Sequence, residues 1–238
     1  MARMPRVVVP LIPHHITQRG NARRFILASP DERNVYLDLL QQAAALHEVS
    51  IIGYSLMSNH VHLVAIPQQP NALAAALKQT HGRYAAFWNA RHGSSGHVWQ
   101  GRFYSCPLDL THLWLALRYT ELNPVRAGLV RDPELWAWSS ASAHCGRSQP
   151  PPWMHMRPWD ARWTSLNWRQ YLSAGEVETD RVAIRQCTHT GRPLGAPPFI
   201  HSLELLTQRQ LTPQPGGRRA KQTKQTGDRR DVPQFSPK

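Results

Sequence analysis

Cysteine is scarce in this chain. The three present, Cys106, Cys145 and Cys187, lie far apart and form no Cys-x-x-Cys pair. That spacing indicates neither a zinc ribbon nor a disulfide framework, and it fits a reducing compartment. No apolar run approaches the length needed to cross a membrane. The N-terminal stretch MARMPRVVVPLIP starts basic, but prolines cut its apolar patch, so no secretory core and cleavage site can be read there. The expected location is cytoplasmic, without a membrane partner. Acidic residues are also few: 15 Asp and Glu stand against 28 Lys and Arg, for a formal net charge of +13. Lysine itself is nearly absent, with only four, so arginine carries the excess.

A balance this basic, with pI near 10.6, points to a polyanionic partner. Guanidinium forks match phosphate geometry and stack on bases, which favours nucleic acid over a loosely held membrane surface. A compositional bias toward arginine codons would explain arginine over lysine, but not the net excess. The length, 238 residues, is ample for a sizeable core without staples.

Hydrophobic periodicity and punctuation predict an element order. Pro13 to Arg19 reads as a first strand, closed by Gly20-Asn21. Ser29-Pro30-Asp31-Glu32 has the form of a capping box with proline at the first helical position, opening a helix to about His47. Ser50 to Leu56 and the run through His60 to Val64 read as two strands joined near Ser58-Asn59. A helix capped by Asn71 runs to the break at Arg91 to Gly96, and His97 to Ser105 reads as a fourth strand with a glycine kink. The order β-α-β-β-α-β is the ferredoxin-like split βαβ arrangement, an α+β fold with an antiparallel sheet and two helices on one face.

A further helix from Asp109 runs through Leu113, Leu117 and Tyr119, with Asn123 its last possible residue before Pro124. The segment from Pro133 to His144 is expected against the sheet. Composition changes beyond Gly146, which suggests a catalytic domain over 1–146. A Trp- and Pro-rich accessory region with short helices, including Val177 to Gln186 and Phe199 to Leu211, is expected over 147–215. Residues 216–238 read as a basic disordered tail.

The chemistry-bearing residues fall in two places. In Met57-Ser58-Asn59-His60-Val61-His62-Leu63-Val64, strand alternation puts His60 and His62 on one face, close enough for both imidazoles to bind one cation. Equally, such a pair can be a hydrogen-bonded structural one. Tyr119 and Asn123, spaced i and i+4, share a helix face. A tyrosine beside a metal site can attack a phosphodiester and retain the cut end as a phosphotyrosine ester, which conserves the backbone bond energy for rejoining. Asn123 is a candidate third ligand, and two imidazoles with one amide oxygen and open positions suit Mg²⁺ or Mn²⁺ rather than closed structural zinc. Tyr119 could instead be a core aromatic, and Asn123 a helix terminator. Arg19, Arg23, Arg24, Arg102 and Arg126 lie near predicted strand and helix ends as candidate DNA contacts, with Trp99, Phe103 and Tyr104 available to stack on unpaired bases.

Five ordered runs carry a resemblance: His14 to Gly20, Met57 to Leu63, Val98 to Phe103, Arg118 to Gly128, and Trp138-Ser139-Ser140. Together they resemble the REP-associated tyrosine transposases, relatives of the single-tyrosine HUH transposases, over about residues 5 to 145. Ser58 stands where many members have proline, which touches the turn and not the chemistry. The resemblance implies a transposase and endonuclease acting on single-stranded DNA with small REP-like hairpins. It implies nicking and rejoining through a 5′-phosphotyrosine intermediate with a divalent metal, in a monomer or homodimer near the bacterial nucleoid. His60 and His62 match the metal ligands, Tyr119 the nucleophile, and Asn123 the polar residue that completes the metal site. His15 matches a family position that could orient metal or phosphate. A catalytically silent regulator that binds hairpin DNA is the alternative.

Overall fold

A computed structural model describes residues 6–212. Strands β1 (His14–Arg19), β2 (Val49–Leu56), β3 (His60–Pro67) and β4 (Tyr104–Pro107) form one sheet in the order β2-β3-β1-β4. All three pairings are antiparallel. This is the ferredoxin-like arrangement expected from the element order. Registers Arg19↔His60 and Thr17↔His62 place those four side chains on one face, because directly opposed residues of a pair share a side. The alternating residues Ile16, Val61 and Leu63 point to the other face and are buried there.

That other face is covered by α1 (Pro30–Leu46) and α2 (Ala72–Arg91), packed on a core that includes Tyr36, Tyr84 and Trp88. The predicted capping box is present. Ser29 Oγ accepts from the Glu32 amide at 3.2 Å, and Glu32 accepts from the Ser29 amide at 2.8 Å. Asn71 does not cap α2 with its side chain, because its own backbone is already helical (φ −98°, ψ −5°) and a capping side chain needs extended backbone. The fourth strand is shorter than His97 to Ser105. Trp99 makes one bridge to Gly20, then Gly101 at φ +113° takes the chain out of the ladder. The glycine ends the pairing there, and the strand starts only at Tyr104.

The second face receives α3 (Leu110–Glu121), whose first turn is capped by Asp109 accepting from the His112 amide at 2.8 Å. The helix does not stop for good before Pro124. After Leu122 the chain turns helical again as α4 (Asn123–Arg126), with Pro124 in the first turn, where its missing N–H has no intrahelical acceptor to satisfy. Gly53, at a register shift in β2, lets α3 lie directly on the strand: a Cβ there would come within 2.2 Å of Leu117 Cδ1.

The expected packing of Pro133 to His144 is seen, through Ser140 and the short α5 (Ala141–His144). Ser140 Oγ accepts from the Tyr54 amide at 3.1 Å. Beyond it come α6 (Arg157–Asp160), α7 (Ser165–Ser173), α8 (Glu178–Thr190) and α9 (Pro197–Thr207). Trp159, Trp168 and Leu172 share one apolar cluster with Ile52, Val64, Leu113 and Leu117, so α6 and α7 are sealed onto the same side of the sheet as α3. Helix α8 lies across β4 and β1, also on that side. It is longer than expected, ending at Gly191, whose left-handed backbone (φ +77°) closes the last turn onto Cys187 O. Among the described residues all three cysteines are free and no helix is long and apolar enough to cross a membrane. The segment 216–238 lies outside the described residues.

Candidate active site

The second face of the sheet and the two helices over it enclose an open cleft of about 880 Å³. His60 and His62 come from β3, His15 and Arg19 from β1, and Tyr119, Asn123 and Arg126 from α3 and α4; all seven line this cleft. The Tyr119 ring stands edge-on to both His62 and His15, 5.6 Å from each by ring centroids. The His60 and His62 rings are 5.0 Å apart. One chain is therefore enough to bring the tyrosine to the histidine pair.

The hydrogen bonds fix which nitrogens face the cleft. His60 Nδ1–H donates to Asn59 Oδ1 at 2.6 Å. His62 Nδ1 meets His15 Nε2 at 3.0 Å, and His15 Nδ1 meets Thr188 Oγ1 at 2.7 Å. One tautomer set satisfies the whole series: His62 donates to His15, His15 to Thr188, and the threonine hydroxyl to Cys106 Sγ at 3.4 Å. The Nε2 lone pairs of His60 and His62 are then left without a partner among the described residues. Burial, with help from Arg19 and Arg126, lowers the pKa of His60 to about 4. Burial lowers His62 well below the ordinary histidine range, with the neighbouring histidines and arginines adding to it. His15 falls to about 3 for the same first reason, with Arg126 contributing. All three rings are thus neutral near pH 7, the form in which imidazole offers a lone pair.

Asn123 Nδ2 donates to the Tyr119 carbonyl at 3.3 Å, which leaves its oxygen as the group free to accept or ligate. Arg126 is committed from three sides. It pairs with Glu176, donates to the Tyr119 carbonyl at 2.7 Å, and lies 4.2 Å from the centre of the Tyr119 ring. It braces the tyrosine. The tyrosine oxygen itself accepts from Arg185 Nε at 3.3 Å.

Residues 8–123, from before β1 through α3 to Asn123, match the family model for IS200-like transposases. Over that segment, just under half of its length, the chain is similar to the IS200-like transposases. The fold agrees with that of a REP-associated tyrosine transposase solved bound to a REP hairpin, at 16% identity and TM-score 0.54, over 65% of this chain and 92% of that one. A Deinococcus radiodurans protein solved at 1.90 Å as a candidate transposase aligns at 13% identity and TM-score 0.36, over 54% of this chain and 92% of its own. A search of curated proteins finds no match.

Within the family segment, three of the expected DNA contacts stand outside the cleft. Arg23 and Arg24 sit on an exposed loop at the end of β1, where Arg24 leans toward the Trp88 ring at 5.3 Å. Arg102 is exposed on the loop before β4. Of the aromatics expected to stack on bases, Trp99 and Phe103 are buried, with Trp99 Nε1 donating to His81 O at 2.9 Å in the α1–α2 core. Only Tyr104 lines the cleft, stacked on His189 at 4.9 Å. Trp99 is not on the fourth strand, because Gly101 takes the chain out of the ladder and β4 starts only at Tyr104.

Sequence reasoning missed Arg185, Thr188 and His189. They lie on α8, of which only the part to Gln186 is expected as a helix, so that Thr188 and His189 fall beyond the predicted end. No local pattern in an amphipathic polar helix tells which sheet edge it will cross. Among the described residues no group of three or more His, Cys, Asp or Glu is placed to hold a metal. The donors at hand are the two unpartnered Nε2 atoms and the Asn123 amide oxygen. They fit an open site for a hard or borderline divalent ion that keeps positions for water and phosphate. The second layer fits as well, since each histidine has its other nitrogen held by a neighbour.

Proposed function

We propose that the chain nicks and rejoins single-stranded DNA beside small REP-like hairpins, with Tyr119 as nucleophile. The observation that carries this is the Tyr119 ring 5.6 Å from that of His62 in a cleft lined by arginines, within a chain segment of transposase ancestry. In the step, the Tyr119 oxygen forms a bond to phosphorus and loses its proton. The P–O3′ bond breaks, and the departing oxygen gains a proton to become a free 3′-hydroxyl. The product is a 5′-phosphotyrosine ester, and attack by a 3′-hydroxyl reverses the step, so rejoining needs no nucleotide cofactor.

His60, His62 and Asn123 would hold Mg²⁺ or Mn²⁺. When bound, the ion supplies positive charge against the phosphate oxygens. The chain's own part is positional. The β3 register points both imidazoles into the cleft, Asn59 and His15 hold their rings, and Arg126 braces the tyrosine from behind. Arg19 lines the same cleft and provides charge for the DNA backbone. The hairpin bound to the structural relative supports the choice of substrate.

The test is a denaturant-resistant protein–DNA adduct. Incubation of the full chain and Mn²⁺ with a pool of single-stranded oligonucleotides bearing a short hairpin and randomised flanks yields an adduct on denaturing gels. Tyr119→Phe yields none while still retarding the same DNA. An undiminished adduct in Tyr119→Phe, or retardation without adduct in the wild type, rejects the nickase; the latter is what a silent hairpin-binding regulator gives.

A further inference from the structure

Helix α8 lies outside the segment that matches the transposase family, yet it forms a wall of the cleft. Its placement is fixed at several points. Ile184 is buried, Thr188 Oγ1 is bonded to His15 and Cys106, and His189 stacks on Tyr104. Strands β1 and β4 therefore set where α8 sits. Arg185 is one turn before Thr188, so it extends from the same side of the helix toward α3. There its Nε reaches the one atom that the nicking step makes reactive, Tyr119 Oη, at 3.3 Å and across 66 positions of sequence.

We infer that Arg185 is a catalytic residue of the strand transfer: its Nε holds the Tyr119 oxygen, and its two terminal nitrogens meet the scissile phosphate. The inference rests on the nicking function proposed above. Arg126, the other guanidinium at the tyrosine, has its charge engaged by Glu176 and its donors by that carboxylate and the Tyr119 carbonyl. The tyrosine oxygen is the only hydrogen-bond partner of Arg185 among the described residues, with Glu178 and Glu176 acting on its charge only through space, which leaves the outer edge of its fork open to the cleft. A guanidinium in that position can donate to the attacking oxygen and to a phosphate oxygen at once, a fork geometry that a lysine lacks. As charge builds on the phosphate oxygens, a donor already in place stabilises it without rearrangement. Through α8, the accessory region is then a component of the active site.

The experiment compares wild type, Arg185→Gln and Arg185→Lys as full chains, using the hairpin oligonucleotide recovered from the wild-type adduct. Single-turnover adduct formation gives a limiting rate and a half-saturating protein concentration, and thermal melting reports folding. Arg185→Gln is expected to lower the limiting rate about 100-fold, the loss typical of one preorganised donor removed from a developing anion. Half-saturation and melting temperature stay near wild type, since the side chain is exposed and supports no core. Arg185→Lys recovers part of the rate. A limiting rate equal to wild type in Arg185→Gln overturns the inference and leaves the nickase standing. So does a loss that appears in half-saturation or melting instead of the limiting rate. A wild-type chain that forms no adduct overturns both together.

Discussion

Glu121 offers the sharpest test of how the tyrosine helix is held. It lies two residues after Tyr119, is fully buried, and its carboxylate takes three hydrogen bonds. Oε1 accepts from Ser140 Oγ at 2.5 Å and from His144 Nδ1 at 2.5 Å, and Oε2 accepts from Trp168 Nε1 at 2.8 Å. The three donors belong to the loop before α5, to α5 itself and to α7, so one side chain ties α3 to the Trp-rich region. Glu121→Ala leaves the buried His144 and Trp168 donors without an acceptor, while the Ser140 hydroxyl can turn to Tyr54 O at 3.3 Å. Each orphaned group costs about 1–3 kcal/mol, and because the groups are coupled and can partly relax, the expected loss is about 3–5 kcal/mol in total. That is a large share of a typical folding stability of about 5–15 kcal/mol. With a urea slope of about 2–3 kcal/mol per molar for a chain of this size, the unfolding midpoint should fall by roughly 1–2 M. Glu121→Gln keeps the volume and one acceptor oxygen, so its midpoint should lie between the two. Tryptophan fluorescence follows the transition directly, because Trp168 is one of the partners. A shift below about 0.3 M in Glu121→Ala, with unchanged slope, would show that these bonds add little beyond what water supplies in the unfolded chain, and would refute the reasoning.

Acid should destabilise the fold through buried neutral histidines. His14 and His81 are both buried, and desolvation lowers their pKa to about 4 and about 3. The unfolded chain takes up these protons near pH 6.5 while the folded chain does not, so stability is full above that pH and declines as pH falls toward the folded values. Each ring should cost roughly 2 kcal/mol at pH 5, read as a lower urea midpoint than at pH 7.5; a midpoint that is flat or rises toward pH 5 would contradict this. At the site, Asn59→Ala removes the acceptor that fixes His60, so adduct formation should need about 10- to 100-fold more Mn²⁺ for half-maximal rate, with the limiting rate largely recovered at saturation. An unchanged Mn²⁺ titration would mean that β3 alone orients the ring.

The part of the site legible in the sequence is the part set by local periodicity. Alternation along a strand put His60 and His62 on one face, and the i, i+4 spacing put Asn123 beside Tyr119, because the helical path continues closely enough from α3 into α4 for both to follow from local backbone geometry. The capping box at Ser29 was legible for the same reason. What failed were inferences that needed tertiary knowledge. Trp99 fits a strand pattern, but Gly101 leaves the ladder and the indole goes under α2. Asn71 is a good capping residue by type, yet the turn before α2 gives it helical backbone. Arg126 reads as a DNA contact by position and charge and does line the cleft, but its pairing with Glu176, 50 residues away, could not be read from the sequence. Arg185 had no signal at all, since its significance exists only where α8 crosses β1 and β4.

These long-range partners explain how the cleft can combine neutral imidazoles with strong positive charge. Desolvation alone would keep the rings uncharged, and the arginines push in the same direction, so the histidines remain lone-pair donors in a basic cleft. The same arginines that disfavour imidazolium favour a phosphodiester. A site built from acidic ligands would instead lose phosphate affinity to like-charge repulsion whenever its metal departed. With histidine and amide donors beside Arg19, the cleft keeps its attraction for a DNA strand independent of metal occupancy, so hairpin retardation should persist in EDTA under conditions where the adduct is lost. Loss of retardation in EDTA would place the metal, not the arginines, as the main contact for the strand.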